Sequence, residues 1–174
     1  MAGLEIIIAP DPRLKIKAKP VPTVNKTVSL LLYDMLETMY KANGIGLAGP
    51  QVGQDQRVLV IDVACKLKNE DPNPILIVNP EVINLSDEDY IHEEGCLSFP
   101  SHYANVTRPN WVEIKYKDQN NQLQKMRAEG LMSVCLQHEM DHLDGILFVD
   151  HLSNLKRNTI MRKLIKHKRQ MTRN

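Results

Sequence analysis

The segment His138-Glu139-Met140-Asp141-His142 carries the strongest chemical pattern in the chain, H-E-x-x-H. On a helix, histidines at i and i+4 project from one face and can bind one metal ion. Glu139 then lies where it can take a proton from a metal-bound water. The residues around the motif are apolar nearly all round the helix, which predicts burial. Because charged groups are costly to bury without compensation, the pattern favours a metal centre over two surface histidines.

A catalytic metal site needs a third protein ligand and an open position. The metzincin spacing H-E-x-x-H-x-x-G-x-x-H does not apply, because position 148 is Phe148. Cys135 is a poor third ligand, since about 10 Å of helical rise separates it from His142. Cys96 is better placed, because it lies in a distant segment after a glycine that allows close backbone approach. These residues predict a Cys-His-His site with water in the fourth position.

Three separated motifs give the chain a resemblance to a known family. They are GIGLAGPQ at 44–51, EGCLS at 94–98 and QHEMDHL at 137–143. In order and spacing they resemble the polypeptide deformylase family, whose members remove the formyl group from the initiating methionine of new bacterial proteins. The resemblance covers essentially the whole chain. One departure, glycine at 49 where the family usually has alanine, removes no functional group. The resemblance implies a metal-dependent hydrolase that releases formate.

The resemblance also implies roles for the motif residues. The ligands of one divalent metal ion are Cys96, His138 and His142. Fe2+ is the native ion in many members, and Zn2+, Ni2+ or Co2+ can replace it. Glu139 is the general base on the metal-bound water and passes the proton to the leaving amine. The side-chain amide of Gln51 and the backbone N–H of Leu97 are the donors to the oxyanion. An alternative for Gln51 is a hydrogen bond within its own turn.

A further set of residues is expected to bind substrate. These residues are Ile45, Gly46, Glu94, Gly95, Tyr103, Leu131, Val134 and Cys135. The glycine-rich loop can pair with an extended peptide as an added strand. An apolar pocket for the methionine side chain is expected from Ile45, Tyr103, Leu131, Val134 and Cys135, with simple core packing as the alternative for each. We also expect Arg108 to pair with Asp141, because either charge would be costly to bury alone.

Hydrophobic periodicity predicts the elements that position these residues. Apolar residues at helical spacing predict a helix over 27–42, capped by Thr27 and ended by Asn43-Gly44. Short apolar or alternating runs predict strands at 57–63, 75–79, 111–117 and 122–128. The segment 44–51 is too glycine-rich for a helix or a regular strand, and residues 9–22 suggest an extended surface arm. A second helix is expected over 129–143 and a third after Ser153.

These elements predict an α+β fold. Mixed or antiparallel β-sheets are expected to pack around a central H-E-x-x-H helix, with an N-terminal helix and a basic C-terminal helix. At 174 residues and 19.9 kDa, the chain suits a single catalytic domain over 1–174, with 153–174 as a basic helix or tail. No apolar run approaches the roughly 20 residues of a membrane span, so no membrane partner is expected. A monomer in the bacterial cytoplasm is expected.

Three alternative functions are open, and the charge distribution suggests the first of them. Residues 151–174 contain eight Lys/Arg and no Asp/Glu, whereas residues 1–150 contain 14 basic and 21 acidic residues. The basic tail suggests docking on the ribosome, near N-formylmethionyl nascent peptides, or RNA binding as the main role. An H-E-x-x-H peptidase that cleaves internal peptide bonds is the enzyme alternative. It predicts no dependence on Cys96. A relative that has lost catalysis is a further alternative, although every required group is present.

Overall fold

A computed structural model describes residues 3–67 and 70–171. In these residues the fold is α+β, with antiparallel sheets and three α-helices, as the sequence predicts. The helices are α1 (Lys26–Lys41), α2 (Gly130–Leu143) and α3 (Asn154–Met171). The strands are β1 (Gly46–Ala48), β2 (Val58–Ile61), β3 (Ile75–Leu85), β4 (Asp89–Cys96), β5 (Phe99–Pro109), β6 (Trp111–Lys117) and β7 (Leu123–Glu129). No helix in the described ranges is both long and apolar enough to cross a membrane.

The larger sheet has the strand order β1-β2-β3-β6-β7, and every neighbouring pair is antiparallel. Strand β2 is buried along its whole length because helices cover both faces. Val58 and Val60 pack with α1, whereas Leu59 and Ile61 pack with α2. This two-sided burial explains why β2 is a continuous apolar run rather than an alternating one. The predicted hairpin of β6 and β7 is confirmed.

Helix α1 starts one residue earlier than predicted. Asn25, rather than Thr27, is the N-cap, and its side chain accepts a 3.0 Å hydrogen bond from the backbone N–H of Val28. The helix ends before Asn43, which adopts a left-handed φ of 56°. The apolar residues that recur at helical spacing along α1 are buried, and Leu32, Met35 and Met39 have no exposed surface.

Two local predictions were wrong, and one hairpin was missed. The glycine-rich segment forms a strand, β1, followed by a 3-10 turn at Gly49–Val52. The hairpin of β4 and β5 was not predicted, because it buries the charged Glu94 and Arg108 and exposes Ile91 and other large hydrophobic residues, so no apolar alternation marks its buried face. Residues 9–22 are not only a surface arm. They contribute four buried side chains to the interior: Ala9, Leu14, Ala18 and Val21.

Two glycines set the ends of α2. Gly130 has a φ of 57° and turns the chain from β7 into the helix. Gly145 has a φ of 72° just after the helix, and a Cβ atom there would lie 2.4 Å from the carbonyl oxygen of Lys15. Only glycine combines that conformation with so close an approach. These two turns fix where the H-E-x-x-H residues lie along the sheet.

Candidate metal centre

Two elements bring the predicted ligands together. Helix α2 presents His138 and His142 one turn apart, and β4 ends at Cys96. The Cys96 Sγ atom lies 3.3 Å from Nε2 of His142, and one ligand atom from each of the three residues lies within 4.8 Å of the others. Ligand atoms at about 2.0–2.3 Å from a tetrahedral ion are separated by about 3.5 Å. The cluster therefore has the composition and size for one divalent ion.

A buried carboxylate orients the first histidine. The Glu94 Oε2 atom lies 2.8 Å from Nδ1 of His138, which leaves Nε2 of that ring for the ligand cluster. Arg108 donates to both oxygens of Glu94, from Nε at 2.5 Å and from Nη2 at 3.0 Å. Burial alone would raise the pKa of Glu94, but these hydrogen bonds outweigh it and lower the pKa to about 2. Glu94 is therefore a carboxylate whose two oxygens are both engaged.

The same network continues to the surface. Nη1 of Arg108 donates to Oδ2 of Asp141 at 2.9 Å, which confirms the predicted pair. His151 approaches the same oxygen at 2.7 Å through Nε2. In contrast, the buried Nδ1 atom of His142 has no hydrogen-bond partner in the described part of the chain. One imidazole is thus held by a carboxylate and the other by packing.

Glu139 lies beside the cluster with one oxygen uncommitted. Its side chain is buried, and Oε2 has no hydrogen-bond partner among the described residues. Strand β1 makes room for it, since a Cβ atom on Gly46 would lie 2.4 Å from Oε1. Burial raises the pKa of Glu139 to about 7, although His138 acts in the opposite direction. A carboxylate with a pKa near neutrality can both accept and release a proton under physiological conditions.

The Gln51 side chain makes contacts in two directions. Its Oε1 atom accepts a 2.8 Å hydrogen bond from the backbone N–H of Ala48. This is the hydrogen bond within its own turn that the sequence suggested as an alternative. Its Nε2 atom lies 3.2 Å from Oγ of Ser98 and 3.5 Å from Sγ of Cys96. The hydrogen bond within the turn therefore directs the amide N–H groups of Gln51 toward the cluster of ligand residues. Leu97 lies in the turn between β4 and β5.

The cluster opens into a groove of about 630 Å³. Gly46, Gly95, Leu97 and Tyr103 line this groove. A smaller cavity of about 80 Å³ adjoins His138 and Glu139. It brings together four of the predicted pocket residues: Ile45, Leu131, Val134 and Cys135. Tyr103 is not among the residues lining the small cavity. It packs against Gly95, is 65% exposed, and so lies on the outer groove.

The other two cysteines, Cys135 and Cys65, are not part of the ligand cluster. The Sγ atom of Cys135 lies 3.5 Å from the carbonyl oxygen of Ile45. Burial raises the thiol pKa of Cys135 well above the usual value, which keeps it neutral. Cys65 lies near the carbonyl of Asp62.

Sequence reasoning missed Ser98, His92 and His151. Ser98 is fully buried beside Gln51, and its place in the EGCLS motif was a usable signal. His92 lines the small cavity, and His151 extends the Arg108 network. Neither histidine has a sequence signal, because each acquires its neighbours only through packing of distant segments.

Comparison with known proteins gives a consistent family assignment. The family model described as polypeptide deformylase matches residues 4–158. A peptide deformylase of Mesorhizobium japonicum is 50% identical over 161 residues, covering 92% of this chain and 90% of that protein. A peptide deformylase structure from Legionella pneumophila is 44% identical, with a TM-score of 0.90 and 99% of each chain covered.

A third protein adds a ligand to the comparison. The structure of peptide deformylase from Ehrlichia chaffeensis in complex with actinonin is 36% identical to this chain, with a TM-score of 0.92. The match covers 97% of this chain and 99% of that one. Family model, relatives and solved structures agree over nearly the whole length. The chain belongs to the polypeptide deformylase family.

Proposed function

We propose that this protein hydrolyses the N-formyl group from the N-terminal formylmethionine of newly made proteins and releases formate. The observation that carries the proposal is the cluster of Cys96, His138 and His142 beside the unpaired carboxylate oxygen of Glu139, at the base of an open groove. Family membership supports the same reaction.

Cys96, His138 and His142 are the proposed ligands of one divalent ion. A bound ion would supply Lewis acidity toward water and the formyl oxygen. A thiolate with two imidazoles suits Fe2+, Zn2+, Ni2+ and Co2+, and we propose Fe2+ as the native ion. Glu94 and Arg108 fix the ring of His138. Such outer hydrogen bonds set both the tautomer and the orientation of a ligand histidine.

Glu139 is the proposed general base. Its unpaired Oε2 takes the proton from the attacking water, and the resulting acid gives that proton to the amine nitrogen as the C–N bond breaks. Gly46 supports this role because the absence of a side chain there lets the carboxylate lie against β1. The carboxylate therefore reaches its position without a hydrogen bond that would compete for the proton.

Gln51 and Leu97 are the proposed oxyanion donors. The Gln51 amide is fixed in advance by the Ala48 backbone and directed at the Cys96 side of the cluster. Donors fixed before the reaction stabilise developing charge without a reorganisation cost. The backbone N–H of Leu97, in the turn directly after Cys96, is the second donor proposed for the same oxygen.

The substrate is proposed to bind as an added strand. Strand β1 is at one end of the larger sheet, so among the described residues one of its edges pairs with β2 and the other pairs with no strand. Backbone groups around Gly46 and Gly95 would pair with an extended peptide without selecting its later side chains. Ile45, Leu131, Val134 and Cys135 would hold the methionine side chain in the small cavity. We assign Tyr103 to the outer groove, and the Glu94 carboxylate to ligand orientation rather than to direct substrate contact.

We further propose one catalytic domain over residues 1–174, organised around α2. That helix contacts β1, β2, β6 and β7, as a central element should. Residues 153–174 would serve as a basic helix that docks the enzyme near the ribosome, where its substrate emerges. A monomer acting in the bacterial cytoplasm fits this substrate.

The first experiment measures formate release from a formyl-Met tripeptide by protein reconstituted anaerobically with iron or nickel. Rapid release that is abolished by chelation and by Glu139→Ala supports the proposal. Glu81→Ala is the matched control, because it removes an exposed carboxylate of β3 that lines neither the groove nor the small cavity. No formate release from fully loaded protein contradicts the proposal. Cleavage of internal peptide bonds instead would identify a peptidase.

A further inference from the structure

The small cavity beside the metal cluster contains one imidazole outside the proposed ligands. Four apolar or weakly polar side chains line it: Ile45, Leu131, Val134 and Cys135. His138 and Glu139 border one part of the cavity, and His92 borders another. Two further carboxylates line the cavity: Glu94 is already engaged by Arg108 and His138, and Glu93 is exposed on the opposite face of β4. His92 is therefore the polar side chain on this wall that is still able to meet a ligand.

The alternation of β4 places His92 at the far end of the cavity. Tyr90, His92 and Glu94 share one face of this strand, because successive side chains alternate. The Glu94 side chain reaches His138, so this face points toward α2. His92 lies two residues, about 6–7 Å, farther along the strand from the metal cluster. On the opposite wall, Leu131 precedes His138 by about 10 Å of helical rise.

The ring of His92 is held in place but retains polar capacity. It is half-buried and stacks on Tyr90, with centroids 6.0 Å apart and planes 25° apart. Within residues 3–67 and 70–171, neither ring nitrogen has a hydrogen-bond partner. An imidazole offers an N–H donor and an aromatic surface. A thioether sulfur is a weak acceptor and makes favourable contacts with aromatic rings.

We infer that His92 is a specificity-determining residue, which closes the methionine pocket and favours a thioether over an all-carbon side chain of the same length. The inference rests on the proposed deformylase function and deepens it. A side chain entering beside Glu139 extends away from the metal cluster, so its distal atoms meet the end of the cavity where His92 lies. Methionine presents sulfur there, whereas norleucine presents a methylene group of nearly the same size.

The test compares formyl-Met-Ala-Ser with formyl-norleucine-Ala-Ser as substrates for one protein preparation. The ratio of the two kcat/KM values cancels differences in metal loading and in folded fraction. We expect His92→Leu to lower the ratio about 2- to 10-fold, the range of sulfur–aromatic contacts. His92→Phe retains the ring and His92→Gln retains an N–H donor, so each should keep part of the preference. His102→Leu is the matched control, since His102 lines the outer groove but not the small cavity.

The outcomes separate this inference from the proposed function. A lower ratio in His92→Leu with a wild-type ratio in His102→Leu supports the role of His92. A wild-type ratio in His92→Leu overturns it, while formate release by the same proteins leaves the deformylase function intact. An equal loss of preference in His102→Leu also overturns it, because the effect would then not be specific to the cavity. Absence of formate release from wild-type protein overturns both.

Discussion

The position of the Glu139 carboxylate depends on the absence of a side chain at Gly46. That carboxylate lies against Gly46, where a Cβ atom would be only 2.4 Å from Oε1 and 2.8 Å from Cδ. Gly46 has no left-handed φ that would require glycine, so the close approach to Glu139 is what excludes a side chain. The glycine thus positions the proposed general base, in addition to its proposed contact with the peptide backbone.

Gly46→Ala should therefore impair catalysis through Glu139. We expect kcat on a formyl-Met tripeptide to fall about 10- to 100-fold, since general bases contribute about 10²–10⁴. Metal content should stay unchanged, because Gly46 supplies no ligand. Gly3→Ala is the control, as its Cβ atom would come no nearer than 4.0 Å to Lys41. A wild-type kcat in Gly46→Ala would show that the contact with Glu139 does not matter.

Residue types in the sequence were enough to predict the three clustered ligand residues but not the groups around them. His138 and His142 are fixed by helical spacing, and Cys96 was selected by excluding Cys135 on distance. The carboxylate network behind them was only partly predicted. The Arg108–Asp141 pair was predicted from the cost of burying a single charge. The hydrogen bonds that Glu94 accepts from Arg108 and shares with His138 could not be predicted without the β4–β5 pairing.

Three elements meet at the Arg108 network. Arg108 is on β5, Glu94 is on β4, and Asp141 is on α2, so the ion pairs join the hairpin to the helix. Arg108 and Glu94 are almost completely buried, and removing one partner of such a pair leaves an uncompensated charge. The network thus couples the position of the hairpin to the orientation of His138.

Asp141→Asn should loosen that coupling. We expect the affinity for the metal to fall about 10- to 100-fold, the usual range for loss of an outer hydrogen bond, and the metal to dissociate faster as a result. The measurement is the rate of metal release to a chelator, which is independent of turnover. Asp144→Asn is the matched control, because Asp144 follows the same helix but pairs with Arg57. Unchanged metal content and activity in Asp141→Asn would contradict the role of this pair.

A second polar contact joins α1 to the sheet. The Tyr40 hydroxyl donates a 2.5 Å hydrogen bond to Oδ2 of Asp62, just after β2. Burial and then the Asp62 carboxylate raise the pKa of Tyr40 well above its usual value near 10. The folded state therefore retains the phenol proton more strongly than the unfolded state. This contribution to stability is complete below pH 10 and is lost as pH rises toward the folded-state pKa.

The expected result is a stability difference that depends on alkaline pH. Between pH 8 and 11, the free energy of unfolding of wild-type protein should fall more steeply than that of Tyr40→Phe, which lacks the titrating group. Urea unfolding at fixed ionic strength measures both. Tyr33→Phe, an exposed tyrosine on the same helix, should behave like wild type. Parallel pH profiles for wild type and Tyr40→Phe would exclude this linkage.

The elements that the sequence predicted best are those with a strong period. Helix α1 and strand β6 bury one regular stripe each, so periodicity located them within about two residues. Strand β1 has only three residues, one of which is glycine, so it is too short to show a periodic pattern. The β4–β5 pair was not recognised because two of the side chains that it buries, Glu94 and Arg108, are charged, while Ile91 and Tyr103 are exposed.

At the scale of the molecule, α3 combines two roles that the sequence did not separate. Its basic residues give residues 151–174 their positive charge, yet Leu164 is 3% exposed and packs with Phe99 and Phe148. Deleting residues from 154 onward would therefore uncover a hydrophobic cluster as well as remove charge. A test of ribosome docking should change charge and leave the apolar face in place.

Neutralising four exposed cations on α3 is the sharper experiment. The substituted residues are Lys156, Arg162, Lys163 and Lys166, each changed to Gln. We expect wild-type turnover of a formylated tripeptide and weaker co-sedimentation with ribosomes. The salt dependence should also become shallower, by about 0.7–0.9 in log–log slope for each phosphate that the variant no longer neutralises. The control neutralises four exposed or half-buried lysines of the body: Lys17, Lys26, Lys115 and Lys125. Equal co-sedimentation of all three proteins would contradict docking through α3.

The sequence by itself determined the chemistry of the protein. Local spacing placed two histidines and a glutamate on one helix, and the three motifs indicated the family, because both depend on residue type and order along the chain. Only the tertiary structure decided which groups surround that chemistry. The contact of Gly46 with Glu139, the engagement of Glu94 by Arg108, and the place of His92 at the end of the cavity each join segments more than 10 residues apart. Such contacts follow from strand register and helix packing, which no local pattern encodes.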